Sequence, residues 1–452
     1  MDPAVKAANE LNAIFGRLEV PCEVCVTSEA GKHMMATADL DRGFALVEEL
    51  PIVSWPSVSF LNLRLPFCFH CLRLATHQLS PADDAAADGV SLSPSPSPSS
   101  ASTAALLPEK WSRCAQCASC FCSVDCQQAS ARTHRLLCSP LPQLRSDANG
   151  SSATVASGIS VEALARCVAW IAQRLSVVIE QQKLTHAVLQ ADYTAQRSSS
   201  HSSPNVASAE GSVQTAWSAD SLNYQLFTQV VAPFSRLISP PDSVQFDGVS
   251  LPAWGSAVRL LLAEKCVKLL LVASGAPLAK LQLSPLRFET EMHDDPSSCC
   301  SSSAPSVSPS ASPLYWAEAL VHVLLSADTL RTLVGQMVLN AHGVNDYVLP
   351  VSAAAPGKFE WVLKGAGLYT LLSSFNHSCE PNAAVSNVDD THEIALTTTR
   401  PVKTGEEITI TYIPLTASAT LAERRQLLKS YLFTCRCSRC VREEKACAVD
   451  VV

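Results

Sequence analysis

Ser374-Phe375-Asn376-His377-Ser378-Cys379-Glu380-Pro381-Asn382, then Glu406-Glu407-Ile408-Thr409-Ile410-Thr411-Tyr412, then Cys435-Arg436-Cys437-Ser438-Arg439-Cys440 follow one another near the end of this 452-residue chain. Asn376 offers an amide that both donates and accepts, while Pro381 fixes its own φ and discourages helix at Glu380. Ile408 and Ile410 alternate with Thr409 and Thr411, which predicts a half-buried strand with Tyr412 at its end. Taken singly, an Asx turn, a buried histidine and a core tyrosine account for Asn376, His377 and Tyr412. An Asn-His pair, a strand-end tyrosine and a C-x-C-x2-C cluster in one order point instead to a site.

A second, independent signal lies upstream. Cys68-x2-Cys71, Cys114-x2-Cys117, Cys122-x3-Cys126 and His134-x3-Cys138 supply enough ligands for two tetrahedral zinc ions. A small lobe has little apolar core of its own, and structural zinc contributes folding energy directly. Cys71 and Cys114 are separated mostly by Ser, Pro, Ala and Asp from Ser80 to Ala105, including a Ser-Pro repeat. Such a segment buries too little apolar surface to order itself, so a disordered excursion is expected. Closing a flexible loop of that length costs the finger only about 1–2 kcal/mol. Cys120 and His70 lie inside the finger but outside the ligand spacing.

The three C-terminal motifs resemble the catalytic half of SET-domain protein lysine methyltransferases. The upstream cysteines resemble the MYND finger. Together they resemble the SET and MYND domain-containing lysine methyltransferases, in which a MYND finger splits the SET domain. The expected fold class is therefore α+β, with small β-sheets. Residues 1–60 are expected to form the first SET half, 61–140 the finger with its insertion near 80–105, and 141–295 a helical insertion with low-complexity loops. A Ser/Pro linker at 296–313, the catalytic SET half at 314–430 and a zinc-bound post-SET segment at 431–452 complete the expected order.

The MYND resemblance implies interleaved zinc sites: Cys68, Cys71, Cys122 and Cys126 at one, and Cys114, Cys117, His134 and Cys138 at the other. Cys435, Cys437 and Cys440 are three ligands where a closed site wants four, and Cys379 is the expected fourth if folding joins the two ends, as the SET resemblance implies. The resemblance also implies S-adenosylmethionine as cofactor, held by Gly31, Lys32, His33, Asn340, Asn376, His377, Tyr412 and Phe433. Tyr412 takes the catalytic role, and Tyr431 and His342 line the channel for the target lysine. His33 stands where the family has a second glycine, and His342 where it often has an aromatic. Cys22 and Cys25 are expected as core residues of a strand.

Helical spacing is expected at Val161 to Gln182 and again at Ala257 to Val272. Charges at Arg259, Glu264, Lys265 and Lys268 interrupt the second, so neither a membrane span nor a signal peptide is expected. The chain ends soon after Cys440, which resembles the divergent subgroup without a C-terminal helical repeat domain. With 19 cysteines and no disulfide framework, a reducing compartment is expected, cytoplasmic or nuclear. Net charge is −8 and the finger carries no dense basic stripe, which argues against direct nucleic-acid binding.

The expected partner is a protein substrate with a target lysine, a histone tail or ribosomal protein, and the expected state is a monomer. The alternative is a catalytically weak scaffold that binds proline-rich peptides through its MYND lobe. Elemental analysis of the purified chain is expected to find three zinc ions, two or fewer removing the post-SET site. Deleting 81–102 is expected to leave folding and activity nearly unchanged, and loss of zinc or solubility would make the segment structural.

Overall fold

The computed structural model describes residues 2–75, 107–148, 158–200, 221–241, 244, 249–278, 286, 288, 316–348, 360–415 and 419–449. The excursion expected near 80–105, the 296–313 linker and most of the serine-rich loops lie outside the described residues. In chain order the elements begin with α1 (Pro3–Arg17), β1 (Cys22–Thr27), β2 (Gly31–Ala36), β3 (Ala45–Glu49), β4 (Val53–Pro56), α2 (Val58–Asn62), β5 (Ser112–Arg113) and β6 (Cys120–Phe121). Helices α3 (Val124–Leu137), α4 (Leu141–Ala148), α5 (Val161–Gln181), α6 (His186–Ser200), α7 (Leu222–Ser235), α8 (Leu251–Ala273), α9 (Trp316–Leu324) and α10 (Ala327–Asn340) follow. The chain then forms β7 (Ala341–Val348), β8 (Glu360–Leu368), β9 (Asn376–His377), β10 (Ala383–Asn387), β11 (Ile394–Thr398), β12 (Glu407–Ile410), α11 (Leu421–Leu428) and α12 (Ser438–Val449).

Two compact units divide the chain, one of Met1–Cys167, Pro233–Ser250 and Thr332–Val452, the other of Val168–Ala232 and Leu251–Arg331. In the first unit α1 starts at Asp2, whose carboxylate accepts the Ala4 N–H at 2.8 Å, with Pro3 in the first turn where its missing N–H costs nothing. Leu11 and Phe15 on its inner face are fully buried beneath the first sheet, and Phe15 meets Phe375 edge-on at 6.4 Å.

Each of the three larger sheets joins strands from before residue 60 to strands from after residue 340. In the order β1-β2-β12-β9, Met34 lies opposite Ile408, and β9 runs parallel to β12 with Asn376 opposite Thr409 and His377 opposite Ile410. A parallel pair needs a crossover, which here carries β10 and β11; these strands pair with each other and β11 pairs with β3. The third sheet runs β4-β8-β7. At Gly365 a Cβ would sit 2.0 Å from the Trp55 carbonyl oxygen, so β4 and β8 come together only because that position has no side chain.

The second unit is helical. On α5, Ile171, Leu175, Val178 and Ile179 are buried at the expected spacing. Helix α8 starts earlier than its apolar pattern predicted, at Leu251 rather than Ala257, because Pro252 is tolerated in a first turn and Trp254 adds a buried anchor. Trp316 on α9 is fully buried, and its indole N–H donates to His186 Nδ1 at 3.0 Å. Among the described residues no helix is long and apolar enough to cross a membrane.

Two expectations are corrected. Cys22 is buried, but Cys25 is only partly so, because the outer face of edge strand β1 is open. The strand expected to reach Tyr412 stops at Ile410. There Thr411 Oγ1 donates to the Ile413 carbonyl and accepts the Ile413 N–H, a local turn that competes with the ladder.

One buried charge group ties α4 and the start of α5 to Ser54 and Phe69. Glu162, 1% exposed, accepts from Arg145 at 2.8 and 3.2 Å and from Arg166 at 3.0 Å; Arg166 also donates to the carbonyls of Ser54 and Phe69 and lies 4.2 Å from the Phe69 ring centroid. Burial alone would raise the Glu162 pKa, but the two guanidiniums outweigh it and hold it below the usual range. Removing one partner of a buried pair leaves an uncompensated charge and costs about 3–5 kcal/mol. Glu162→Gln is expected to lower the urea midpoint by a corresponding amount; a midpoint within error of wild type would show that the group is not a stability anchor.

Candidate active site and metal clusters

Three groups of four ligand atoms each lie within 4.8 Å of one another: Cys68, Cys71, Cys122 and Cys126; Cys114, Cys117, His134 and Cys138; Cys379, Cys435, Cys437 and Cys440. Tetrahedral zinc with Zn–S near 2.3 Å sets S···S edges of about 3.8 Å. The separations are close to that: Cys71–Cys122 3.6 Å, Cys122–Cys126 3.4 Å, Cys114–Cys138 3.5 Å, Cys379–Cys435 3.9 Å and Cys379–Cys440 3.6 Å. Cys117 Sγ and His134 Nε2 are 3.2 Å apart. The donor sets and their spacing fit zinc at all three, in the groupings expected from sequence. Cys120 and His70 stay outside them.

The third cluster abuts the Asn-His pair. His377 Nδ1 accepts the backbone N–H of Tyr412 at 3.0 Å, so the ring proton resides on Nε2, which faces Cys379 Sγ at 3.4 Å. The Tyr412 hydroxyl donates to the Phe375 carbonyl at 2.7 Å, and the Tyr431 hydroxyl donates to the Tyr412 carbonyl at 3.2 Å. Burial, with Tyr431 and Glu407 nearby, raises the Tyr412 pKa well above the ordinary phenol range, so its proton stays on at neutral pH.

Tyr412 borders a cavity and a group of rings that lies outside that cavity's lining. A cavity of about 480 Å³ is lined by Tyr412, Tyr431, His342, Asn340, Leu372 and Ser373 among others. The His377 ring lies 5.5 Å and the Phe433 ring 6.3 Å from the Tyr412 ring, and neither lines that cavity. Phe433 is 39% exposed beside His377, an apolar ring open to solvent. Burial lowers the His342 pKa to about 4, which leaves its imidazole neutral at physiological pH.

The other expected cofactor residues gather near the same place, with most of their side chains engaged within the protein. Asn376 Nδ2 donates to the Ala30 carbonyl at 3.1 Å and to Glu407 at 3.2 Å, tying β9 to the start of β2. Gly31 has φ +62° and open space at its Cβ position, whereas His33 turns inward and its Nδ1–H donates to the Gly31 carbonyl at 3.0 Å. Lys32 Nζ donates to the Arg236 carbonyl at 2.8 Å. The Asn340 amide accepts from Ile238 N–H at 2.9 Å and donates to the Ile238 carbonyl at 2.8 Å. Segment 236–238 thus bridges Lys32 and Asn340.

Two supporting side chains were given no role by the sequence reading, although Asn382 ends the first motif. Asn382 Oδ1 accepts the Thr409 N–H at 2.8 Å and its Nδ2 donates to the Glu407 carbonyl at 2.8 Å, locking β12 in register. Arg424, fully buried, donates to Glu443 at 2.8 Å and lies 3.6 Å from Cys440 Sγ. It sits on α11, where the Thr420–Glu423 capping box was the available sequence cue.

Residues 345–413 match the family model described as SET domain. A SET and MYND domain-containing protein of Dictyostelium discoideum is 44% identical over 81 residues, 18% of this chain and 15% of that relative. The protein-lysine N-trimethyltransferase SMYD5 of Gallus gallus is 39% identical over 82 residues, 18% and 20% of the two chains. Histone-lysine N-methyltransferase SMYD3 of Homo sapiens is 37% identical over 81 residues, 18% of each chain. The aligned stretches span about a fifth or less of these relatives. Tyr412 and the Asn376-His377 pair thus lie in the segment that matches the SET-domain model, in a chain similar to SET and MYND domain-containing proteins and to protein-lysine methyltransferases.

Proposed function

We propose that the chain is an S-adenosylmethionine-dependent protein-lysine N-methyltransferase, with its SET domain split by the MYND-type finger and closed by a zinc-bound post-SET segment. The observation that carries this reading is that Tyr412 lines the cavity of His342 and Tyr431 and also neighbours the rings of His377 and Phe433, which do not line it. An in-line displacement needs its two reactants brought to one point from opposite sides. Pairing of β2 with β12, β3 with β11 and β4 with β8 supports the split-domain order.

S-adenosylmethionine supplies an electrophilic sulfonium methyl when bound. Gly31 has room for close backbone approach, Phe433 presents a face on which a base can stack, and the 376–377 backbone and the Asn340 region complete its site. Asn340 and Asn376 act chiefly by fixing backbone, because their amides already have protein partners. In the channel, Tyr431 and the uncharged His342 line the path of the lysine stem. The amine must arrive neutral, against an ordinary pKa near 10.4, and desolvation in the channel favours that form. The Tyr412 hydroxyl, held by the Phe375 carbonyl, orients the amine.

The relatives named for histone-lysine and protein-lysine methylation support a protein lysine as substrate. The reading extends to a lysine in a histone tail or a ribosomal protein, met by a monomer in cytoplasm or nucleus. A scaffold role for the finger rests on a second cavity of about 360 Å³, where Pro66 and Phe67 offer apolar surface to a proline-rich peptide. Calorimetry with S-adenosylmethionine separates the readings: micromolar binding is expected, and no binding leaves the scaffold.

Tyr412→Phe is expected to lower kcat by on the order of 10²–10³ while cofactor affinity and zinc content stay at wild type. Loss of the bond to Phe375 costs stability of about 1 kcal/mol, too little to unfold the chain. Wild-type turnover in this variant would make Tyr412 a wall residue only.

A further inference from the structure

Glu49 ends β3, and its carboxylate is turned toward the segment leading into the site. Its two oxygens accept the Leu371 N–H at 2.9 and 3.1 Å and the Leu372 N–H at 3.0 Å, and the Thr370 N–H is a third donor. These amides open the single 3-10 turn Leu372–Ser374, which has no cap from its own N-cap side chain. Glu49 caps it from a distant strand. Five residues separate Leu371 from His377, and four of them have a place in the site or beside it. Leu372 and Ser373 line the Tyr412 cavity, Phe375 supplies the carbonyl that holds the Tyr412 hydroxyl, and Asn376 and His377 pair with β12.

The turn is fixed at both ends around this carboxylate. Upstream, the Tyr369 hydroxyl donates to the His392 carbonyl; within the turn, Ser373 Oγ donates to the Thr370 carbonyl at 2.9 Å. Burial pushes the Glu49 carboxyl up to about 7 even though the backbone donors pull it down, so ionising it here is costly.

We infer that Glu49 is a positioning residue for methyl transfer, setting through the 370–372 amides the placement of the channel wall and of the carbonyl that holds Tyr412. The inference rests on the methyltransferase reading above. Reacting groups misplaced by about 1 Å lose on the order of 10² in rate, so a loosened turn acts on turnover before it acts on binding.

The test is Glu49→Gln, which keeps the shape but puts an amide donor where two backbone donors converge. The expected result is a kcat lowered about tenfold or more, with cofactor Kd within about threefold of wild type and three zinc ions retained. Amide exchange at 370–375 should quicken while Ile408 and Ile410 stay protected. Ser373→Ala loosens the same turn from its other side and should give a smaller loss of the same kind, which serves if Glu49→Gln does not fold. Wild-type kcat in both variants, or parallel loss of kcat, cofactor affinity and zinc, overturns the positioning role. A wild-type chain that binds no S-adenosylmethionine overturns the functional reading instead.

Discussion

The imidazole of His377 joins three parts of the molecule that sequence separates. One ring nitrogen takes the backbone N–H of Tyr412, so the residue just past β12 is held by β9 after the ladder has ended. The other faces the sulfur of Cys379, which gathers Cys435, Cys437 and Cys440. Parallel pairing of β9 with β12 puts the ring in place, and the locked register of Asn382 against Thr409 keeps it there. Without this ring the tyrosine, the crossover and the C-terminal cysteines would have no common reference point.

Metal ligands replace apolar core where the chain is thin. The C-terminal lobe buries Leu428 and Ile413 beside its cysteines and little else, and the finger rests on two interleaved sets of four ligands. Buried charge does comparable work at both lobes. Arg424 serves the sulfur of Cys440, and Arg166 serves the carbonyls of Ser54 and Phe69 while sharing Glu162 with Arg145. A guanidinium suits these places because several fixed donors satisfy several carbonyls and carboxylate oxygens at once.

Local rules carried much of the reading. The cysteine spacings marked the candidate ligands, since C-x2-C and C-x-C-x2-C place thiolates within reach of one ion, and the family resemblance implied which of them share an ion. Helix α5 matched its apolar period almost to the residue, because burial on one face leaves a periodic trace. Helix α8 was less legible, being apolar on most sides with Leu260 still exposed. Tyr412 was anticipated at the end of a strand and lies in a turn beyond it, because the bond from its N–H to His377 depends on a residue far away in sequence.

By itself, the sequence determined the main helices and the order of the motif residues, since these follow from spacing and periodicity within short stretches, whereas the grouping of the ligands came from the family resemblance. Only the tertiary structure decided which partners the side chains take. Asn340 turned to Ile238, His33 turned inward to Gly31, and Glu49, unremarkable as the last residue of a short strand, collected the amides of a turn more than 300 residues away. Hydrogen-bond partners of this kind are set by long-range strand pairing, and no local pattern of residues encodes them.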